Sequence, residues 1–131
     1  MKGSCLCGAV AYQLDRIEKP ITHCHCLTCQ KAHSAAFNSS VRIQREDFHW
    51  TRGEDKLSCY ESSPGKKRWF CSVCGSHLMA EKQGQELLVL RAASLDEDPG
   101  VRPAMHIWRA HDRAWLVNDE SLPSHPEWPP A

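Results

Sequence analysis

Seven of the eight cysteines of this chain fall into three tight groups, and their spacing restricts the fold more than any other feature. Cys5 and Cys7 stand near the start as C-x-C. Cys71 and Cys74 follow much later as C-x-x-C, and Cys24, Cys26 and Cys29 lie between them as C-x-C-x-x-C. Thiolates are soft ligands that suit zinc, and a closed structural site takes four of them at the corners of a tetrahedron. The two flanking pairs supply one such set. The central group supplies only three thiols, the pattern of a site that keeps one position open.

A disulfide framework is the competing use of eight cysteines, and it belongs to exported chains. Here MKGSCLCGAVAYQLD opens with short alternation and lacks the continuous apolar core of an export signal. Two cysteines separated by one residue on an extended strand also do not bring their sulfurs into disulfide geometry. No apolar run approaches the roughly 20 residues that span a bilayer. A cytoplasmic protein is therefore expected, with reduced thiols free to bind metal. Sixteen basic residues balance sixteen acidic ones, which gives no electrostatic reason to expect nucleic acid or a membrane surface as a partner. A chain of 131 residues is expected to form one domain, residues 1–131, with the proline-rich tail 122–131 extended along the surface.

Between the cysteines the chain reads as short strands. Gly8–Asp15 and Phe37–Gln44 read as strands by alternation, and Asp47–Thr51, Leu57–Glu61 and Lys66–Phe70 are strand-like. Ser62-Ser63-Pro64-Gly65 is a turn between the last two, and Arg52-Gly53-Glu54-Asp55 is another. His77–Glu81 and Glu86–Ala93 read as a hairpin, and Ala104–Ala110 and Ala114–Val117 as further strands. Leu27–Ala36 suits a short helix. Ser94-Leu95-Asp96-Glu97 matches a capping box, which predicts a helical turn starting at Ser94. The fold class expected is mainly β, with short antiparallel strands, very little helix and zinc as a staple.

Cys5, Cys7, Cys71 and Cys74 would hold a structural zinc. In Cys71-Ser-Val-Cys74-Gly75 the chain turns so that both sulfurs face one ion, and glycine accommodates the positive φ such a turn needs. Cys24, Cys26 and Cys29 would hold a second, catalytic zinc, unless His33, His25 or Cys59 closes that site. A lone redox C-x-x-C is the weaker alternative, because no βαβ pattern surrounds it. His25, His33 and His106 are candidate proton donors by residue type. Lys66, Lys67 and Arg68 read most simply as a solvated strand face, and otherwise as partners for substrate carboxylates. Trp50, Trp69, Trp108 and Trp115 read as core or pocket wall, and Cys59 as a small packed strand residue.

GSCLCGAV (3–10), HCHCLTCQKAHSAAF (23–37) and RWFCSVCGSHL (68–78) resemble the glutathione-dependent formaldehyde-activating enzyme family. ASLDEDP (93–99), HIW (106–108) and the WLVND…LP…PEWP ending extend the resemblance over nearly the whole chain. Ser34 stands where that family often has a glycine. The resemblance implies an Mss4-like β architecture stapled by zinc. It implies a structural zinc on Cys5, Cys7, Cys71 and Cys74, and a catalytic one on Cys24, Cys26 and Cys29. It also implies a carbon–sulfur lyase that works on a small-molecule thiol such as glutathione and an aldehyde such as formaldehyde. The alternative from another class is a non-catalytic binding module with two structural zincs.

Overall fold

The computed structural model describes residues 1–116 and 121–131. Two sheets form. The smaller orders β1 (Lys2–Ser4), β2 (Ala11–Leu14) and β5 (Phe48–Arg52), all antiparallel. The larger runs β10-β3-β4-β9-β8-β7-β6, built from β3 (Ile21–Cys24), β4 (Asn38–Gln44), β6 (Leu57–Ser63), β7 (Lys66–Cys71), β8 (His77–Lys82), β9 (Leu87–Arg91) and β10 (Pro103–Ile107). One α-helix, α1 (Leu27–His33), follows β3. The expected mainly β class is what forms, and all pairings are antiparallel except β10 on β3, which is parallel.

Alternation decides which side of each strand is buried. Tyr12 and Leu14 on β2, Val41 and Ile43 on β4, and Leu88 and Leu90 on β9 point into one core cluster shared by both sheets. Each such side chain contributes about 1.5–3 kcal/mol of apolar burial. The turn Pro64-Gly65 joins β6 to β7 with Ser63 opposite Lys66, as its residues predict.

Two expectations are corrected. No helical turn starts at Ser94. A 3-10 turn covers Ala92–Ser94 instead, and the Ser94 hydroxyl donates back to the Arg91 carbonyl and bonds the Tyr12 hydroxyl. The rest of that motif pins the N-terminal strand. Lys2 N–H donates to Glu97 Oε1, Asp96 N–H to the Lys2 carbonyl, and the Ser4 hydroxyl to Asp96 Oδ1. The second correction concerns Ala114–Val117. Ala114 and Trp115 form an exposed turn closed by Leu116 N–H on the Arg113 carbonyl, and Val117 lies outside the described residues. The preceding strand stops at Ile107, because Trp108 takes a left-handed conformation (φ 62°) and leads into the 3-10 turn Arg109–His111.

Candidate metal centres and their surroundings

The structure gathers Cys5, Cys7, Cys71 and Cys74 into one group, with the four sulfurs within 4.8 Å of one another. Cys5 and Cys7 leave β1 in a turn, and Cys71 ends β7. Gly8 (φ 78°) and Gly75 (φ 79°) each follow the second cysteine of a pair, and the turns close by Gly8 N–H on the Cys5 carbonyl and Gly75 N–H on the Cys71 carbonyl. The Leu6 amide donates to Ser76 Oγ and ties the two turns together. Cys5–Cys7 and Cys7–Cys71 sulfurs lie 3.6 and 3.9 Å apart. Four sulfurs at about 2.3 Å from a tetrahedral zinc stand about 3.8 Å from each other, so the group fits that ion.

Cys24, Cys26 and Cys29 form the second group, again with sulfurs within 4.8 Å. Cys24 ends β3. Cys26 caps α1 and its sulfur accepts from the Cys29 amide at 3.3 Å. Burial pushes the Cys24 thiol up to about 12, the Cys26 amide opposing this and the neighbouring thiols of Cys29 and Cys26 adding to it. Burial opposes ionisation of Cys26 as well, but the Cys29 amide and the neighbouring thiols hold it below the usual thiol range. Three crowded thiols that cannot all ionise alone are a donor set suited to a cation.

None of the three residues considered for closing this group joins it. His25 is committed elsewhere, His33 stands apart with His77 (rings 4.9 Å apart), and Cys59 is exposed on β6. His25, 2% exposed, bonds Asp112 Oδ1 through Nδ1 at 2.6 Å and His106 Nδ1 through Nε2 at 2.8 Å. Burial works against the Asp112 charge, but Arg109 and His25 hold its carboxyl below the usual carboxylate range. An ionised carboxylate only accepts, so Nδ1 of His25 carries the proton. Gln30 on α1 donates to the His25 and His111 carbonyls and accepts from Arg113 Nε, joining the cysteine triplet to residues 111–113.

The solvated strand face expected at Lys66–Arg68 is corrected in part. Lys67 is exposed, Lys66 is half-buried, and Arg68 is only 3% exposed. Arg91, at the end of β9, is 5% exposed and was not a candidate from sequence at all. Burial pushes the Arg91 guanidinium down to about 10, Arg68 adds to that, and Cys29, Cys24 and Cys26 act in the opposite sense. Lys66 is lowered by burial, then by Arg68 and Arg91, against the influence of Cys29 and Cys26. His33 is held down to about 3 by burial and by Arg91, His77 and Arg68. Trp50 and Trp69 pack on the core as expected, Trp115 is exposed but walls a small cavity with Gln30 and Arg113, and Trp108 is exposed. Cys59 shares its strand but not the core.

Short strands presenting two separate cysteine groups define a mainly β protein with two candidate metal centres. Residues 1–111 match the family described as glutathione-dependent formaldehyde-activating enzyme, and the chain belongs to that family. It is similar to a Halomonas elongata protein that carries the family's name, at 27% identity over 125 residues covering 88% of this chain and 79% of that protein. Its fold is similar to a crystal structure of a Rhodobacter sphaeroides protein, at a TM-score of 0.65 and 24% identity, covering 79% of this chain and 100% of that one. No helix among the described residues is long and apolar enough to cross a membrane.

Proposed function

We propose that this chain is a zinc-dependent carbon–sulfur lyase of the S-(hydroxymethyl)glutathione synthase type. It interconverts a thiol and an aldehyde with their adduct, the pair being glutathione with formaldehyde or a related one. The supporting observation is the contrast between the two groups. One has four thiols and is complete, while the other has three and no fourth ligand among the described residues. Cys5, Cys7, Cys71 and Cys74 hold a structural zinc. Cys24, Cys26 and Cys29 hold the catalytic one and leave one position for the substrate sulfur. When bound there, zinc supplies Lewis acidity that favours the thiolate over the thiol.

The protein's own residues do the rest. The β3–α1 junction fixes the three sulfurs through the cap of α1. The thiolate sulfur forms its bond to the aldehyde carbon as the carbonyl oxygen gains electrons and then a proton. His25 and His106 relay that proton through their 2.8 Å ring–ring contact, with Asp112 holding the Nδ1–H of His25. His106 is exposed and exchanges with solvent. His33, held neutral, is a poor acid.

Zinc per chain followed through a graded chelator titration, with and without glutathione, tests this. Two zincs are expected, one released early and protected by the thiol. Cys26→Ser should lose that zinc and all thiol–aldehyde turnover while keeping near-native circular dichroism. Two equally resistant zincs, indifferent to thiols, would make the protein a binding module, and full turnover by Cys26→Ser would remove the triplet from the chemistry.

A further inference from the structure

Two buried guanidinium groups near the three-cysteine group each keep nitrogens without a partner. Arg68 gives Nε–H to Ser62 Oγ at 2.9 Å and leaves buried Nη1 without a partner. Arg91 leaves both Nε and Nη2 buried and unpartnered. Neither pairs with a carboxylate among the described residues. Lys66 lies close enough to both arginines, and to Cys26 and Cys29, for their charges to act on it. Burying a cation without an anion or a full set of hydrogen-bond acceptors is unfavourable, so a like-charged pair of this kind suits a site where a partner arrives.

The charge balance says how much partner is missing. Lys66, Arg68 and Arg91 carry three positive charges. Three cysteine thiolates holding one zinc carry a net single negative charge, and a substrate thiolate adds a second. One positive charge is left over. A cavity borders each guanidinium. Arg68 lines a cavity of about 520 Å³ with Leu27, Thr28, Ser62, Phe70 and His77. Leu27 and Thr28 belong to the turn of α1 between Cys26 and Cys29. Arg91 lines a second cavity of about 780 Å³, and His77 walls both.

We propose that the unpaired guanidinium groups of Arg68 and Arg91 form a subsite for a carboxylate on the substrate, beside the reacting sulfur. Arginine suits it because its planar fork matches a carboxylate and stays charged when desolvated. The inference rests on the catalytic reading of the triplet. It adds that the preferred pair carries a carboxylate near the reacting carbon, on the thiol or on the aldehyde.

Matched probes on the two-zinc protein test it. In the thiol arm, calorimetry compares 3-mercaptopropionate with 2-mercaptoethanol. In the aldehyde arm, exchange measured by NMR with 2-mercaptoethanol as the thiol compares glyoxylate with formaldehyde. A charge-assisted contact predicts a preference of about tenfold or more for the carboxylate member in one arm, and that arm identifies which partner carries the group. The preference should fall to within about twofold in Arg68→Met and Arg91→Met, and recover in part in Arg91→Lys. Equal handling of both members in both arms by the unaltered protein overturns the subsite, and needs no variant. So does a preference that survives both substitutions, or loss of one zinc in the methionine variants, which would make the arginines counterions of the metal centre. If 2-mercaptoethanol binds as tightly as 3-mercaptopropionate and the aldehydes are handled alike, only the subsite fails. If no thiol binds at all, the lyase reading fails with it.

Discussion

Ser34 ends α1 in the left-handed conformation (φ 47°, ψ 46°), its amide bonding the Gln30 carbonyl. That conformation costs a residue with a Cβ, and glycine is its usual occupant. Ser34→Gly should stabilise the fold by about 0.5 kcal/mol, the strain relief exceeding the extra freedom given to the unfolded chain. A thermal melt should show a rise of roughly 2 °C. His33, one position earlier, has a buried Nε2 with no partner. Its folded-state value lies near 3, far below the ordinary 6.5. Above about pH 6.5 both states hold it neutral and it adds no pH dependence. Below that the unfolded chain takes up the proton and the folded one does not, so stability falls with pH down to about 3. Urea melts of His33→Gln should show a shallower loss of midpoint between about pH 6.5 and 5 than the parent. A parent slope unchanged by the substitution would refute this. Arg68 and Arg91 mark the limit of sequence reading at this scale. Lys66 and Arg68 share a strand face by spacing, but Trp69 and Phe70 are both apolar, so alternation could not say which face is buried.

Among the elements, β2 and β4 were legible through period-two alternation, and β6 and β7 through the Pro64-Gly65 turn between them, because both are local signals. The turn after Cys74 was legible through Gly75 for the same reason. The 94–97 stretch was not, because residues that cap a helix are equally able to bond the backbone of another strand, and here β1 takes them. Nor does anything local announce the segment from β10 to Asp112 as one wall of the cysteine triplet. That wall is held by His25 N–H on the Ile107 carbonyl and by the His25–Asp112 bond. Asp112→Ala should leave the buried Nδ1–H of His25 without its acceptor and lower the thermal midpoint. Proteolysis should then cut first within residues 103–116 while the remaining sheets stay protected. Uniform protection of that segment in the variant would show that the bond is not what holds it.

For the whole molecule, the four-cysteine group joins the end of the small sheet's β1 to the end of β7 in the large one. Metal held there closes a loop of more than sixty residues, between Cys7 and Cys71, and its binding energy counts directly toward folding. Structural zinc is worth on the order of 10 kcal/mol, comparable to the total stability of a domain this size. Cys74→Ser should therefore give a chain without a cooperative melt or near-ultraviolet dichroism, in contrast to folded Cys26→Ser. A folded Cys74→Ser protein would mean that the sheets hold together without the staple. The parallel seating of β10 on β3 has a consequence during synthesis. Everything the four-cysteine group needs has emerged once the ribosome passes Ser76, but the free edge of β3 waits for residues 103–107. The nascent triplet thus spends the synthesis of roughly thirty further residues with its histidine side bare. The wall beside the triplet is thus completed after the strands that carry the four-cysteine group.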